Sequence, residues 1–433
     1  MVMTVCFGTD GIRGRAGDEI TPELAYRLGR AVASVFSLPV FVGYDTRESS
    51  PSLASAVLAG LNDGGAMGVN LGYFTTPGVA VIARQRGGAG VVVSASHNPY
   101  YDNGLKVLGI GGAKLDHASE AAVERALILA EGPLSLEFET VAIDELAEEE
   151  YVGHLRELAP TDLSSLSIVV DCANGAASHV AKELFSSTGA RLLMMHDQPD
   201  GRNINEGAGS THVESLVEQV RNSGADLGLA LDGDADRLIA VDGEGTIRDG
   251  DDLMVLFSLD RLERGVLGGG LVVTSMSNLG LYRALGAAGV EIEETDVGDR
   301  NVVLALEEKS WLLGGEQSGH VIFRDMTPTG DGLLTGLLLA ELIVRRGPLA
   351  EIAGSAWRRV PQELFGVPIE HFNDDEVQEL FDELLALYSV DRGDVRLLVR
   401  PSGTEPLVRI MIEALNAEFV EAFSERLKAL YSS

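Results

Sequence analysis

Three stretches of this chain share one grammar. A short apolar run rich in β-branched residues leads straight into a polar, glycine-containing loop. The stretches are Gly90-Val-Val-Val-Ser-Ala-Ser96-His-Asn-Pro99, Leu227-Gly-Leu-Ala-Leu-Asp232-Gly-Asp-Ala-Asp-Arg237 and Trp311-Leu-Leu-Gly-Gly-Glu316-Gln-Ser-Gly-His320. Such runs read as buried strands. Helical patterns at 22–35, 51–63, 212–223 and 331–346 separate many of the strands. Alternating strands and helices imply βαβ units with parallel or mixed sheets, in which the loops beyond the strand carboxyl ends carry the chemistry. All three polar loops hold that kind of position.

The tail differs. Residues 395–400 and 407–412 read as strands joined by Pro401-Ser-Gly-Thr-Glu-Pro406, and a helix is expected from about 417 to 430. A strand pair with helices suggests a small α+β domain, with its boundary near Arg358 because Val360-Pro361 opens a new segment. A chain of 433 residues is long enough for two to four domains of about 100–200 residues each.

Composition removes several function classes. Hydrophobic residues make up 45% of the chain, which suits packed cores rather than disorder. Asp10 and Arg13 break the N-terminus before a secretory signal could form, and the most apolar stretch, 333–344, is interrupted by Thr335, Gly336 and Glu341. The two cysteines, Cys6 and Cys172, sit in no metal or CxxC spacing, so a reducing cytoplasm is expected. A net charge of −33 repels nucleic acid and anionic membranes, and an anionic substrate would need a local arginine cluster.

In the second loop Asp232, Asp234 and Asp236 alternate, so three carboxylates can converge on one hard divalent cation. An EF-hand is excluded, because Arg237 and Gly243 stand where its glycine and glutamate would be. A solvated acidic turn is the plainer alternative, but charges so closely packed repel without a cation. In the first loop Ser96 beside His97 is a candidate nucleophile or an ordinary polar turn. The G-x-S-x-G pattern of acyl transfer is absent from the chain. Lys106, one of five lysines, follows the Asn103-Gly104 turn. In the third loop Glu316 and Ser318 suit paired hydrogen bonds to sugar hydroxyls. In the tail, backbone N–H groups with Ser402, Thr404, Arg400 and Arg409 form an anion nest in which phosphate fits, or else a tight hairpin turn. No P-loop or complete GxGxxG occurs, since Lys114 stands where the last glycine of 109–114 would be.

Taken in order, these loops resemble the α-D-phosphohexomutase superfamily, and Phe7-Gly-Thr-Asp-Gly-Ile-Arg-Gly14 resembles its N-terminal segment. The likeness runs from residue 7 to about 412. Within the superfamily the chain is most similar to the phosphoglucosamine mutase branch, through Met276-Ser-Asn-Leu-Gly280, Val297-Gly-Asp-Arg300 and Thr329-Gly-Asp-Gly332.

The resemblance implies three related mixed-sheet α/β domains (1–153, 154–252 and 253–358) and a C-terminal α+β cap (359–433) around a central cleft. It implies a phosphoryl group carried on Ser96 and Mg²⁺ held by Asp232, Asp234, Asp236 and a phosphoserine oxygen. Glu316 and Ser318 would hold sugar hydroxyls. Arg400, Ser402, Gly403, Thr404 and Arg409 would grip the phosphate that is not reacting. Arg237 and Lys106 would add positive charge, and Lys106 or His97 would take the proton of the attacking hydroxyl, the resemblance inclining to Lys106.

The activity expected is interconversion of glucosamine 6-phosphate and glucosamine 1-phosphate. A hexosamine or hexose 1,6-bisphosphate would be both intermediate and activator. The partner is then a small phosphosugar, with no nucleic acid or membrane, for a monomer or homodimer. Phosphomannomutase or phosphoglucomutase chemistry is the nearest alternative. A non-catalytic sugar-phosphate sensor and a metal-dependent phosphatase are the others, separable by the need for a nucleophile and by sustained phosphate release.

Overall fold

The computed structural model describes residues 11–133, 135–402 and 406–431. The expectations on Cys6, residues 7–10, Gly403 and Thr404 lie outside the described residues. Four sheets form among those described.

The first contains β1 (Ile12–Arg15), β2 (Val40–Tyr44), β3 (Gly68–Tyr73), β4 (Ala89–Val93) and β5 (Asp102–Leu108). It is flanked by α1 (Pro22–Val35), α2 (Ser50–Asp63), α3 (Thr76–Arg86) and α4 (His117–Leu129). The helix α1 starts where the sequence says it must. Thr21 caps it by accepting the Leu24 N–H, and Pro22 takes the first turn, where its missing N–H costs nothing. Every residue of β2 and β4 is buried, as expected for strands covered on both faces.

After α5 (Ala147–Leu158) comes the second sheet, built from β6 (Ser167–Asp171), β7 (Arg191–Met195), β8 (Leu227–Leu231), β9 (Leu238–Asp242) and β10 (Ile247–Arg248), with α6 (Val180–Ser186) and α7 (Glu214–Ser223). The sequence pattern starts α7 at residue 212. His212 instead has φ −142°, outside the helical region, and closes a separate 3₁₀ turn at Gly209–Thr211.

The third sheet follows α8 (Gly250–Glu263). It comprises β11 (Leu271–Thr274), β12 (Ile292–Thr295), β13 (Leu313–Gly315) and β14 (Val321–Phe323), with α9 (Leu279–Ala287), α10 (Asp299–Lys309), α11 (Gly332–Arg346) and α12 (Leu349–Ala356). The apolar stretch 333–344 lies inside α11 and is largely buried against protein. Among the described residues no helix is long and apolar enough to cross a membrane.

The strand orders expose a repeat. The series β5-β4-β2-β3, β9-β8-β6-β7 and β14-β13-β11-β12 are the same arrangement three times, with one extra strand beyond β5 and one beyond β9. In each, a strand parallel to its inner neighbour ends in a polar loop and returns antiparallel: β4 to β5, β8 to β9, and β13 to β14. The three signature loops of the sequence are these three connections. Each therefore sits at the carboxyl end of a parallel strand, at the same place in its sheet.

The fourth sheet has β15 (Gln362–Pro368), β16 (Val395–Pro401) and β17 (Leu407–Ala414), with α13 (Asp374–Tyr388) and α14 (Ala417–Leu430). The strand pair expected in the tail is present, and β15 adds a third strand on the far side of β17. Its alternation is poor because most of its residues are exposed, so no period-2 signal marks it.

One apolar core runs through parts of the first three units, from Phe41 and Val92 to Leu229, Val273 and Trp357. The fourth unit has its own core around Val377, Phe381, Ile410 and Phe423. Polar contacts join it to the third unit. Asn278 and Val360 exchange two 3.0 Å hydrogen bonds, and Arg396 donates to the Ser277 carbonyl (2.8 Å) while its Nε lies 2.9 Å from Glu413.

Candidate active site

The chain after β4 turns sharply at Ser96, which is buried and has φ +53°. A non-glycine residue in that region is held there by its surroundings, and the holding groups are visible. The Ser94 hydroxyl accepts the Ser96 N–H at 2.9 Å and donates to Asp45 at 2.6 Å. The Ser96 carbonyl accepts from Arg47 Nη2 and from Asn205 Nδ2 of the second unit, both at 2.9 Å. Arg47 is fully buried and paired with Asp45 at 2.8 Å. Its remaining N–H groups reach the carbonyls of Asn98 (2.9 Å), Asp102 (3.1 Å) and Pro99. One guanidinium thus cages the whole serine loop.

Breaking a buried ion pair strands the partner charge, so Arg47→Met should lower stability by about 3–5 kcal/mol in the first urea transition. A shift under about 1 kcal/mol, within the range of an ordinary surface change, would show that the loop stands without it.

The loop after β8 packs directly on the serine. A Cβ on Gly233 would lie 2.5 Å from the Ser96 carbonyl oxygen, so only glycine permits the approach. This brings the Ser96 hydroxyl to Asp232, to which it donates at 2.6 Å. Asp232, Asp234 and Asp236 are all buried, and one carboxylate oxygen from each falls within 4.8 Å of the others. Asp234 Oδ2 accepts from Lys106 Nζ (2.8 Å) and Thr76 Oγ1 (2.5 Å). Asp234 Oδ1 and Asp236 Oδ1 are buried and accept no hydrogen bond among the described residues. Buried anionic oxygens without donors are costly, and all-oxygen donors suit a hard divalent cation. The trio therefore fits a metal ion.

Electrostatics separates the groups. Burial, then the charges of Asp236 and Asp234, push the Asp232 carboxyl well above the ordinary carboxylate range. Burial acts upward on Asp236 too, but Lys106, His320 and Arg237 together outweigh it and hold that carboxyl far below its usual value. His97 is pushed down to about 4, first by burial and then by Arg237 and Arg13, so it is a neutral imidazole at physiological pH. Its Nδ1 lies 3.2 Å from the Ser96 hydroxyl. Lys106 stands on β5 opposite Val92 and reaches Asp236 Oδ2 at 3.7 Å as well as Asp234.

Glu316 and Ser318 occupy the turn between β13 and β14. They line a cavity of about 520 Å³ that also receives Arg237, which links it to the acidic loop. Glu316 Oε1 accepts the Gly298 N–H at 3.0 Å, and Oε2 lies 3.5 Å from the Ser318 hydroxyl. His320 is buried, with Nδ1 3.8 Å from Asp236 Oδ2, so it packs against the acidic loop. In the fourth unit Arg400 and Arg409 face one another across β16 and β17. Burial, then the like charge of Arg409, lower the proton affinity of Arg400, while Asp296 and Glu316 act the other way. The Ser402 N–H donates to the Leu407 carbonyl at 2.7 Å.

Four residues of the site escaped the sequence reading: Asp45, Arg47, Thr76 and Asn205. A signal for the first two was present. Val40-Phe-Val-Gly-Tyr44-Asp45-Thr-Arg47 has the same strand-into-polar-loop form as the three signature loops. Thr76 and Asn205 carry no local mark.

Models of four consecutive domains match the chain. They are phosphoglucomutase/phosphomannomutase alpha/beta/alpha domain I at residues 4–130, domain II at 149–245, domain III at 249–360 and the C-terminal domain at 367–430. A phosphoglucosamine mutase of Desulforamulus reducens is 44% identical over 438 residues, covering 98% of both chains. One of Moorella thermoacetica is 43% identical over 442 residues, covering 98% of this chain and 99% of its own. Among solved structures, a phosphoglucomutase/phosphomannomutase family protein of Burkholderia thailandensis superposes with a TM-score of 0.80 at 24% identity, covering 99% and 98%. The N-acetylphosphoglucosamine mutase of Aspergillus fumigatus, in complex with GlcNAc-6P and magnesium, gives 0.67 at 18% identity, covering 98% and 95%.

Proposed function

The chain belongs to the phosphoglucomutase/phosphomannomutase family, and from that premise we propose that it interconverts glucosamine 6-phosphate and glucosamine 1-phosphate through phosphorylated Ser96. The observation that carries this reading is the 2.6 Å contact between the Ser96 hydroxyl and the buried acid trio. Relatives 43–44% identical over nearly the whole chain are phosphoglucosamine mutases, which supports the amino sugar as substrate.

Phosphoryl transfer asks a protein chiefly for alignment and charge neutralisation. The Ser96 cage supplies the alignment. Asp232, Asp234, Asp236 and a phosphoserine oxygen would hold Mg²⁺, which when bound neutralises the phosphoryl oxygens. Arg237 and Lys106 add fixed positive charge beside them. Glu316 and Ser318 hold sugar hydroxyls, so that O1 of glucosamine 6-phosphate faces Ser96.

The O1–P bond forms as the P–Oγ bond of Ser96 breaks, giving a 1,6-bisphosphate. The O1 proton passes to a base at the site. His97, neutral at physiological pH, keeps a nitrogen lone pair for it. Lys106 serves only after giving up the proton it shares with Asp234. The O1 proton ends on the departing Ser96 Oγ. The bisphosphate then reverses its ends, Ser96 Oγ gives up its proton and bonds the 6-phosphorus as the P–O6 bond breaks, O6 takes that proton, and glucosamine 1-phosphate leaves. Arg400, Ser402, Gly403, Thr404 and Arg409 grip whichever phosphate is not reacting. The fourth unit has its own core and moves near residue 358 to allow the exchange. The buried free thiol of Cys172 suits a reducing compartment such as the cytoplasm.

Coupled assays on glucosamine, mannose and glucose 6-phosphates test the reading. The amino sugar should lead in kcat/KM by about tenfold or more, the scale that a few polar contacts provide. Equal or reversed preference would leave a hexose mutase with the same machinery.

A further inference from the structure

The segment Val297-Gly298-Asp299-Arg300 touches more than its own unit. Gly298 has φ +126°, a conformation that glycine alone enters without strain, and its N–H is aimed at Glu316 Oε1. The next two residues begin α10 and cross to the first unit. Asp299 Oδ2 lies 2.5 Å from Lys114 Nζ, their side chains only 11% and 12% exposed. Arg300 pairs with Glu120 of α4, at 14% and 16% exposure, and its Nη2 lies 3.0 Å from His117 Nδ1. These are two poorly solvated ion pairs side by side, where screening by salt is weak. They stand immediately next to the amide that holds Glu316.

We propose that Asp299 and Arg300 are positioning residues. By tying the first turn of α10 to Lys114 and Glu120, they fix the Gly298 N–H and so hold the Glu316 carboxylate in its sugar-reading orientation. One Glu316 oxygen is committed to the amide, and the other stays directed to the substrate. The first unit, which carries Ser96, is thereby coupled to the third, which reads the sugar. The inference rests on the sugar-binding role proposed for Glu316.

Four variants of the full chain test it: Arg300→Gln, Glu120→Gln, Asp299→Asn and the charge-swapped pair Glu120→Arg with Arg300→Glu. Contacts made equally in ground and transition states appear in KM alone, so each single variant should raise KM for glucosamine 6-phosphate about five-fold and leave kcat within about two-fold. The swapped pair should recover most of that loss. In a Glu316→Gln background Arg300→Gln should add nothing further, because its effect passes through that carboxylate.

Amide hydrogen exchange of peptides covering residues 296–303 should quicken in the single variants, a readout that needs no activity. If exchange there is unchanged while circular dichroism shows a folded chain, the latch is refuted whatever the enzyme does. Loss confined to kcat, or full additivity with Glu316→Gln, would equally overturn it. Faster exchange in a chain whose wild type turns over no phosphosugar would instead refute the proposed function and leave the latch standing.

Discussion

Ser96→Ala is expected to lose turnover by about ten-thousand-fold or more, the scale seen when an essential nucleophile is removed. The fold should survive. The hydroxyl is one small group, and the cage acts on the backbone of residue 96 through the Ser94 hydroxyl, Arg47 and Asn205. Alanine tolerates φ +53° no worse than serine, since both carry a Cβ. Intact mass after incubation with glucose 1,6-bisphosphate gives the second readout. Wild-type protein should gain one phosphoryl group, mapped to the peptide containing Ser96, and the variant none. Near-normal turnover in Ser96→Ala, or stable phosphorylation elsewhere, would end the phosphoserine mechanism.

The second large effect concerns Asp232, and it has two signs. Asp232→Asn should cut activity by about a thousand-fold, as expected when a buried charge at a phosphoryl-transfer site is lost. In metal-free protein the same change should stabilise the fold. The wild-type carboxyl is pushed above its ordinary value by burial and by Asp236 and Asp234. Between the ordinary carboxylate pKa and that raised value, the folded state binds more protons than the unfolded one. Stability from this group is therefore intact at low pH and falls as pH rises through that window. Asparagine does not titrate, so the gap between variant and wild type should widen from about pH 4, the ordinary carboxylate range, toward neutrality.

Adding Mg²⁺ should reverse the order. A ligand at one hundred times its Kd stabilises a fold by about 2.7 kcal/mol, and the variant should gain far less than the wild type. Urea melts with Mg²⁺ and with a chelator, at two pH values, measure all of this. A chelator that leaves wild-type stability and activity untouched would remove the cation from the proposal.

Legibility varied by residue. The acid trio was readable because its three carboxylates lie within five positions of one another, so one loop brings them together in any fold. Ser96 was readable as a candidate, but whether it was a nucleophile or a polar turn depended on a partner 136 residues away. Glu316 was placed on its loop correctly, while the amide that orients it comes from Gly298 at the start of another helix. Val297–Arg300 served in the sequence as a mark of one branch of the family. In the structure those residues bridge two units. Thr329-Gly-Asp-Gly332 likewise proves architectural. Asp331 caps α11 and accepts the Tyr151 hydroxyl at 2.9 Å, while a Cβ on Gly332 would lie 2.5 Å from the Arg237 carbonyl.

Sequence alone determined what is local: the span of α1, the strand from Leu227 to Leu231, the identity of the loop residues and the choice of oxygen donors. Propensity, capping and periodicity act over a few residues and need no knowledge of the fold. Tertiary structure decided the antiparallel return of each signature loop, the third strand β15, the Arg47 cage and the convergence of Thr76 on Asp234 across 158 residues. Those pairings follow from how whole sheets and helices bury their faces against one another, and no window of neighbouring residues contains that information.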